Sequence, residues 1–249
     1  MLDKPVLVVR PLRDQDAFLN LLDQASVAHR HIPIMQIQPV LEGSADYQTA
    51  TGLIDQLEQY DQAIFISANA AEIGLSMIAK RWPQLPSNID FFAVGPQTAA
   101  IFAEYDYSVC CPELQPNTEG LLQELPQLKS LQGKSVLIFR GGQGRQTLGE
   151  ELMQRGATVA YGELYRRVIQ PDKLVEAQAV MASASCLVVH SGELLRAMDI
   201  PCNKHIPLVV PSARIADLAQ TMGYRHIQVA KNALPTSMFD AVIESTHLR

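Results

Sequence analysis

The chain has 249 residues and a formal net charge of −6 at pH 7. Its residues are 47% hydrophobic and 18% charged, which excludes an intrinsically disordered chain and is enough for two modest domains or one large one. No cluster of basic residues stands out, so nucleic acid is not an expected partner, and an anionic ligand has to be bound by local features such as helix N-termini.

The sequence also lacks features typical of secreted or membrane proteins. The apolar run at the N-terminus ends at Arg10 and is too short for a signal peptide. No run approaches the ~20 apolar residues of a membrane-spanning helix. The cysteines have no CxxC spacing, which predicts reduced thiols; they are Cys110, Cys111, Cys186 and Cys202. We therefore expect a cytoplasmic protein with no membrane partner.

Short apolar runs alternate with segments of helical periodicity along the chain. Runs that are apolar on both faces suit strands of a parallel sheet covered by helices, and the alternation predicts right-handed βαβ units in an α/β fold. The predicted strands are Pro5–Val9, Ala63–Ile66, Ile89–Val94, Val136–Phe139, Cys186–Val189, Ile206–Val210 and His226–Ala230. The predicted helices include Asp14–Ala25, Ala70–Ala79, Thr118–Leu125, Gln146–Arg155 and Ser212–Thr221.

The order of elements repeats within the chain. The strand Val6–Arg10 resembles Val136–Arg140, and Ala63–Ser67 resembles Cys186–Ser191. A third echo links the strand that ends at Gly95 with the strand that ends at Pro211. These repeats predict two similar α/β lobes, each a parallel sheet flanked by helices.

Two extended segments differ from the other predicted strands. His31–Val40 contains Pro33 and Pro39, which exclude a central strand because proline cannot donate to a sheet ladder. Thr158–Ile169 is long and ends in a polar Tyr-Arg-Arg sequence. Each segment could begin in one lobe and continue as a connection to the other.

Five predicted strands turn directly into helices through small or polar residues. Ligands collect at such carboxyl ends in open parallel sheets, because helix starts present unpaired amides that attract carboxylates or phosphates. Ordinary helix capping, worth about 1 kcal/mol for each residue, is the competing explanation. The five junctions are Ser67-Ala68-Asn69, Gly95–Thr98, Arg140–Arg145, Ser191-Gly192-Glu193 and Pro211-Ser212-Ala213.

Several common catalytic motifs are missing. The loop Gly141–Gly144 has no following Lys-Ser or Lys-Thr and lacks the third glycine of GxGxxG, so nucleotide binding is not supported. The histidines have no metal-binding spacing. His190-Ser191-Gly192 is not a nucleophile elbow. His190 stands at a strand end, where either a functional or a structural role is open. We expect no cofactor and no metal.

An ordered set of short motifs resembles the uroporphyrinogen-III synthase family from end to end. No single motif is specific, and the order of the set carries the resemblance. The departure is at His190, where that family usually has Thr or Ser before the serine. The motifs are Ser67-x-Asn69-Ala70, Val94-Gly95-x-x-Thr98-Ala99, Thr118-Glu119-Gly120-Leu121-Leu122, Arg140-Gly141-x-x-Gly144-Arg145, Tyr165-Arg166, and Ser212-x-x-x-Ala216-x-x-Ala219 with Gly223.

The resemblance implies a bilobal fold in which the chain starts in one lobe, builds the second and returns to the first. Residues 1–35 plus 172–249 would form domain 1, and residues 43–162 would form domain 2. The connector, residues 36–42 and 163–171, would use the two extended segments as a two-stranded link that acts as a hinge.

The resemblance also implies a reaction. The substrate would be hydroxymethylbilane, a linear tetrapyrrole of haem biosynthesis, which is dehydrated and cyclised to uroporphyrinogen III with inversion of ring D through a spiro intermediate. Family precedent points to Tyr165 as the hydrogen-bond donor to the departing hydroxyl, and burial of Tyr165 inside a lobe would count against this role. The predicted substrate-binding residues are Arg10, Ser67, Ala68, Asn69, Gly95, Thr98, Arg140, Gly141, Ser191, Gly192 and Ser212.

Some alternatives stay open. Arg10 and Arg140 follow equivalent strands, and structural ion pairs are nearly as well supported for them as substrate carboxylates. The chain could instead be a two-lobe protein that binds a small anion without chemistry, or an inactive synthase-like subunit. We expect a monomer, and transient hand-over of the substrate from the preceding deaminase is one route of supply that the sequence leaves open.

Overall fold

The computed structural model describes residues 4–13, 16–142, 146–200 and 203–247, with only the backbone of His247. Four positions named above lie outside the described residues: Asp14, Gly144, Arg145 and Cys202. The chain divides into two compact units. Unit 1 comprises Met1–Gln36 and Val168–Arg249, and unit 2 comprises Ile37–Arg167.

Strands and helices alternate along the described chain. In order, they are β1 (Val6–Val8), α1 (Ala17–Gln24), β2 (His29–His31), β3 (Met35–Pro39), α2 (Ala45–Asp55), β4 (Gln62–Phe65), α3 (Ala68–Arg81), β5 (Asp90–Ala93), α4 (Pro96–Phe102), α5 (Thr118–Glu124), β6 (Ser135–Gly141), α6 (Thr147–Gln154), β7 (Thr158–Ile169), α7 (Pro171–Met181), β8 (Cys186–Val188), α8 (Gly192–Ala197), β9 (Leu208–Val210), α9 (Ala213–Thr221), β10 (Ile227–Val229) and α10 (Pro235–His247).

Unit 1 is built on a five-stranded sheet with the strand order β10-β9-β8-β1-β2. The paired strands run parallel. Alternate residues of β1 point to opposite faces, so Leu7 belongs to one hydrophobic core and Val6 and Val8 belong to another on the far side of the sheet. Both faces are therefore covered, as the apolar runs predicted.

Unit 2 is built on a second five-stranded sheet with the order β3-β7-β6-β4-β5. The pairs among β4 to β7 are parallel. β3 runs antiparallel to β7, since the amide of Val40 donates to Leu164 and the amide of Gln170 donates to Ile34. β3 contains Pro39 and lies at the sheet edge, which confirms that the proline-containing segment is not a central strand.

The two sheets share one plan. β6 lies between β7 and β4 in unit 2, and β1 lies between β2 and β8 in unit 1. The strands that resemble each other in sequence therefore occupy equivalent positions. The prediction of an α/β fold with two similar parallel sheets is confirmed. The chain passes between the units twice, once along β3 and once along β7.

None of the helices within the described ranges combines the length and the apolar character that a bilayer crossing requires.

Candidate active site

Sheet register brings three of the predicted strand ends of unit 2 to one edge. Phe65 on β4 pairs with Ala93 on β5 and with Phe139 on β6. Two residues beyond these aligned positions come Ser67, Gly95 and Gly141. Because the strands are parallel, the helix starts that follow them emerge at the same edge.

Ser67 begins α3 as a side-chain cap. Its Oγ accepts a hydrogen bond from the amide of Ala70 at 3.1 Å. The amides of Ala68 and Asn69 have no hydrogen-bond acceptor in the part of the chain that the structure describes. All three residues from Ser67 to Asn69 are partly exposed. This helix start can therefore offer two amides to an anion while the serine stabilises the helix.

The start of α4 offers less to a ligand. Gly95 approaches Pro116 so closely that a Cβ at position 95 would lie 2.8 Å from the Pro116 Cβ, so packing requires glycine here. The side chain of Thr98 is buried, and its amide donates to the carbonyl of Gly95 at 3.0 Å. In this conformation Thr98 presents neither group to solvent, and its predicted role in binding has no support from the geometry.

Tyr165 lies inside unit 2 with 1% of its surface exposed. Its hydroxyl reaches the strand-end edge and lies 3.0 Å from the Ser67 Oγ. The Arg167 Nη2 donates to the same phenol oxygen at 3.4 Å. Burial of this kind counts against Tyr165 as a direct proton donor, because the ring has no open path to a ligand in this conformation.

The predicted binding residue Gly141 makes room for the Tyr165 ring. A Cβ at Gly141 would lie 2.5 Å from the Tyr165 Cε2 and 2.6 Å from Cζ. The absence of a side chain at this strand end therefore allows the phenol to lie against β6 with its hydroxyl beside Ser67.

Arg140 is committed to contacts within unit 2. Only 6% of the residue is exposed, and its guanidinium lies 4.0 Å from the centre of the Tyr161 ring. Its Nη2 donates to the Glu163 carboxylate at 2.9 Å. The structural ion pair, which the sequence left open as an alternative, is the arrangement that the structure contains.

The equivalent edge of unit 1 holds Arg10 and His190. Val8 pairs with Val188, so the residues two positions later meet, and the Arg10 Nη1 lies 3.2 Å from the His190 Nε2. Because a guanidinium only donates, this contact requires an unprotonated Nε2 on His190. Burial, helped by the positive charges of Arg10 and Arg13, holds the pKa of His190 well below its ordinary value of 6.5. A neutral imidazole is thus consistent with both observations.

Asp16 completes this cluster. Its carboxylate caps α1 by accepting from the amides of Phe18 and Leu19, and it also lies 3.2 Å from the Arg10 Nε. Arg10 is thus oriented from two sides, by Asp16 and by His190. The sequence predicts a helix over Asp14–Ala25 that includes Asp16, whereas α1 begins at Ala17 and Asp16 is its N-cap. This cap and the contact with Arg10 depend on where β1 and α1 lie, which the apolar pattern does not give.

The two predicted serines of unit 1 differ in their use. The Ser191 Oγ accepts from the amide of Leu194 at 3.2 Å and caps α8. Gly192 packs so that a Cβ would lie 3.0 Å from a methyl group of Leu218. Ser212 precedes α9, but its hydroxyl makes no capping bond. Ser212 is partly exposed, so its hydroxyl is open to a ligand.

Within the described residues, no group of three or more His, Cys, Asp or Glu side chains is arranged to hold a metal ion. Cys110 and Cys111 are free thiols. The polar groups at the two strand-end edges include hydroxyls, amides and the guanidinium of Arg10, which Asp16 and His190 orient. Such groups bind carboxylates and donate hydrogen bonds.

Comparison with known sequences gives a family match. Residues 16–240 match the family described as "Uroporphyrinogen-III synthase HemD". The uroporphyrinogen-III synthase of Escherichia coli (strain K12) is 33% identical over 241 residues, covering 92% of this chain and 95% of that protein. The uroporphyrinogen-III synthase of Salmonella typhimurium is 30% identical over 248 residues, with the same shares covered.

Solved structures show the same fold. A mutant uroporphyrinogen III synthase from the extreme thermophile Thermus thermophilus aligns with a TM-score of 0.68 and 14% identity, covering 98% of this chain and 100% of that one. The uroporphyrinogen-III synthetase of Helicobacter pylori 26695 aligns with a TM-score of 0.62 and 14% identity, covering 99% and 100%. At this identity the structural likeness supports the fold alone.

Proposed function

The chain belongs to the uroporphyrinogen-III synthase family, and from this membership we propose that it converts hydroxymethylbilane into uroporphyrinogen III. The family consists of cyclising lyases of tetrapyrrole biosynthesis. The observation that carries the proposal is the match over residues 16–240, together with relatives that are at least 30% identical over 92% of the chain.

The chemistry needs little acid–base machinery. A pyrrole nitrogen of the substrate pushes out the terminal hydroxyl and leaves an electrophilic azafulvene. Ring D then attacks through its substituted carbon, and the resulting spiro intermediate fragments and recloses with the ring inverted. The main task of the protein is to hold a flexible substrate so that the substituted carbon attacks, and orientation of this kind can lower a barrier by roughly 7–11 kcal/mol.

We propose that the substrate's carboxylates bind at the strand-end edges described above. In unit 2 the available donors are the amides of Ala68 and Asn69. In unit 1 they are the Ser212 hydroxyl and the Arg10 guanidinium, which Asp16 and His190 hold in one orientation. We do not assign Arg140 to the substrate, because it is buried against Tyr161 and Glu163.

The hydroxyl of Tyr165 is the proposed source of the proton that assists departure of the substrate's hydroxyl. Its place at the edge of unit 2, 3.0 Å from Ser67, supports the proposal, while the burial of its ring restricts how the proton can travel. Loss of the phenol hydroxyl should weaken turnover without abolishing it, because the substrate itself supplies the electron push that expels its hydroxyl.

The finer domain bounds are also a proposal. Residues 1–35 plus 172–249 would form domain 1, residues 43–162 domain 2, and residues 36–42 and 163–171 the connector. The two passages of the chain along β3 and β7 support this division. Limited proteolysis followed by mass spectrometry tests it, since cleavage should concentrate near these bounds.

Three further parts of the proposal concern the cell. A cytoplasmic location agrees with the free thiols of Cys110 and Cys111. We also propose a monomer, which sedimentation analysis tests. Transient hand-over from the deaminase that makes hydroxymethylbilane would limit spontaneous cyclisation, and a coupled assay with and without excess unrelated protein tests it.

One assay tests the function directly. The purified protein is mixed with hydroxymethylbilane generated enzymatically, and the porphyrinogens are oxidised and separated by isomer. A synthase yields the type III isomer, whereas a protein that only binds anions, or an inactive subunit, leaves the type I isomer that forms spontaneously. A purely type I product would contradict the proposed function.

A further inference from the structure

Two hydroxyl oxygens meet at the edge of unit 2, and they differ in exposure. The Ser67 Oγ and the Tyr165 hydroxyl lie 3.0 Å apart. Tyr165 is 1% exposed, while Ser67 is partly exposed at the start of α3. Of the two groups, only the serine belongs to a residue that a bound substrate can contact in this conformation.

The neighbouring donors indicate how the hydrogens are arranged. The Ser67 Oγ accepts from the amide of Ala70, and the Tyr165 oxygen accepts from Arg167. One hydroxyl donates to the other, so one hydrogen is left without an acceptor in the part of the chain that the structure describes. Leaving that hydrogen on the buried phenol would cost free energy, whereas leaving it on the partly exposed serine would not. The favoured direction is therefore Tyr165 to Ser67.

We propose that Ser67 is the catalytic residue that donates its proton to the departing hydroxyl of the substrate, and that Tyr165 acts through it as a positioning and relay residue. This rests on the proposed function. The carbon–oxygen bond of the substrate breaks with its electron pair on the oxygen. The Ser67 proton joins that oxygen, so water leaves. The Tyr165 proton moves to the Ser67 Oγ.

The relay balances over the whole reaction. The phenolate left on Tyr165 lies beside the guanidinium of Arg167, whose central carbon is 5.6 Å from the ring centre. When the macrocycle closes and the pyrrole regains its aromaticity, the proton released from the substrate passes to the Ser67 Oγ, and Ser67 returns its own proton to the phenolate. No further reactant is needed.

Ser191 in unit 1 provides a comparison for the hydroxyl contacts of Ser67. Ser191 also follows a central strand and caps a helix through its hydroxyl. In the described residues, the contact of its hydroxyl is the capping bond to Leu194, and no tyrosine hydroxyl joins it. Capping alone thus does not require the hydroxyl pair that is found at Ser67.

The test is a double-mutant comparison of kcat and KM for type III product. We expect Ser67→Ala to lower kcat by about 10²-fold or more with little change in KM, in line with the loss of a general acid. Tyr165→Phe should lower kcat by only about 10-fold, because the serine hydroxyl is still present. The double variant should match Ser67→Ala, since Tyr165 has no route to the substrate without Ser67.

Two further variants separate this role from helix capping. Ser67→Thr keeps the hydroxyl and should restore most of kcat. Ser44→Ala removes an equivalent cap of α2 in the same unit, where the Ser44 Oγ accepts from Tyr47, and should leave kcat unchanged. Thermal unfolding of each variant checks that the protein is folded at the assay temperature, so that a lower kcat does not result from unfolding.

The outcomes of these experiments are distinct. If the effects of Ser67→Ala and Tyr165→Phe multiply in the double variant, or if Tyr165→Phe costs more than Ser67→Ala, the relay is wrong while the synthase function stands. If Ser67→Thr is as impaired as Ser67→Ala, the hydroxyl is not the active group and the relay is wrong. If the wild-type protein makes no type III isomer, the proposed function and the relay both fail.

Discussion

Substitution of Gly141 by alanine tests whether the position of the Tyr165 ring matters. The new Cβ would lie 2.5 Å and 2.6 Å from two carbons of that ring. Carbon atoms normally pack at about 3.5–4.0 Å, so the ring has to move by roughly 1 Å. The hydroxyl starts 3.0 Å from the Ser67 Oγ, and such a shift takes it beyond hydrogen-bonding distance.

The expected cost has two components. Overpacking of a well-packed core typically costs about 1–3 kcal/mol, which corresponds to a Tm lower by roughly 3–10 °C. The loss of the hydroxyl contact should lower kcat about as much as Tyr165→Phe does. Thermal unfolding and the isomer assay measure the two effects on one preparation.

Gly142 provides a matched control at the next position. A Cβ there would meet the end of the flexible Glu163 side chain at 3.3 Å, so Gly142→Ala should change Tm and kcat little. In a Tyr165→Phe background, Gly141→Ala should cause no further loss of kcat at temperatures where the protein is folded. A Gly141→Ala protein with wild-type Tm and kcat would refute the reasoning.

Three other predictions follow from the strand-end contacts. The pKa of His190 in the folded protein lies below its ordinary value of 6.5, so the free energy of unfolding should fall by up to about 1.4 kcal/mol per pH unit as the pH drops below 6.5. In urea titrations from pH 7 to 5, His190→Gln should show a flatter pH dependence than the wild-type protein. The same slope in both proteins would contradict this prediction. Arg10→Lys and Arg140→Lys should both lower Tm, because both guanidinium groups are largely buried and paired, but only Arg10→Lys should raise KM, by about 10-fold; an unchanged KM for Arg10→Lys in steady-state kinetics would remove Arg10 from the proposed binding site. Ser212→Ala should leave Tm unchanged, because its hydroxyl makes no capping bond, but should raise KM; a lower Tm with an unchanged KM would show a structural role.

The predictability of the fold depended on how each element buries its residues. β7 spans Thr158–Ile169, which is the segment that the sequence predicted to be extended from its length and its polar end. The apolar pattern does not predict the helices α2 and α7. α2 buries Ala50 and Thr51 beside Ile54, so its inner face contains small and polar residues and its apolar period is weak. Tertiary packing fixes such helices more than local pattern does.

The candidate site was predictable as a set of strand ends but not as a set of contacts. Strand ends follow from the apolar runs, which is why Ser67 and Ser191 could be named in advance. Whether Arg140 faces a ligand or a neighbour depends on the register of β6 against β7, which places Glu163 opposite it. The burial of Tyr165 likewise depends on this register and on Gly141. The register between two strands depends on residues that are far apart in the chain, and a single sequence does not predict it.

The duplicated plan explains why similar strand ends recur, and the differences between them indicate a division of roles. At the end of β1, Arg10 is a guanidinium oriented by Asp16 and His190, which suits recognition of a carboxylate. At the equivalent end of β6, Arg140 is buried in internal contacts and cannot serve in that way. Unit 2 instead carries the hydroxyl pair of Ser67 and Tyr165, which can move a proton. Arg10 and Arg140 therefore differ in their contacts although they follow equivalent strands. Arg10→Lys should accordingly act on KM and Ser67→Ala on kcat, and a combined variant should show the product of the two effects because the residues act on different steps.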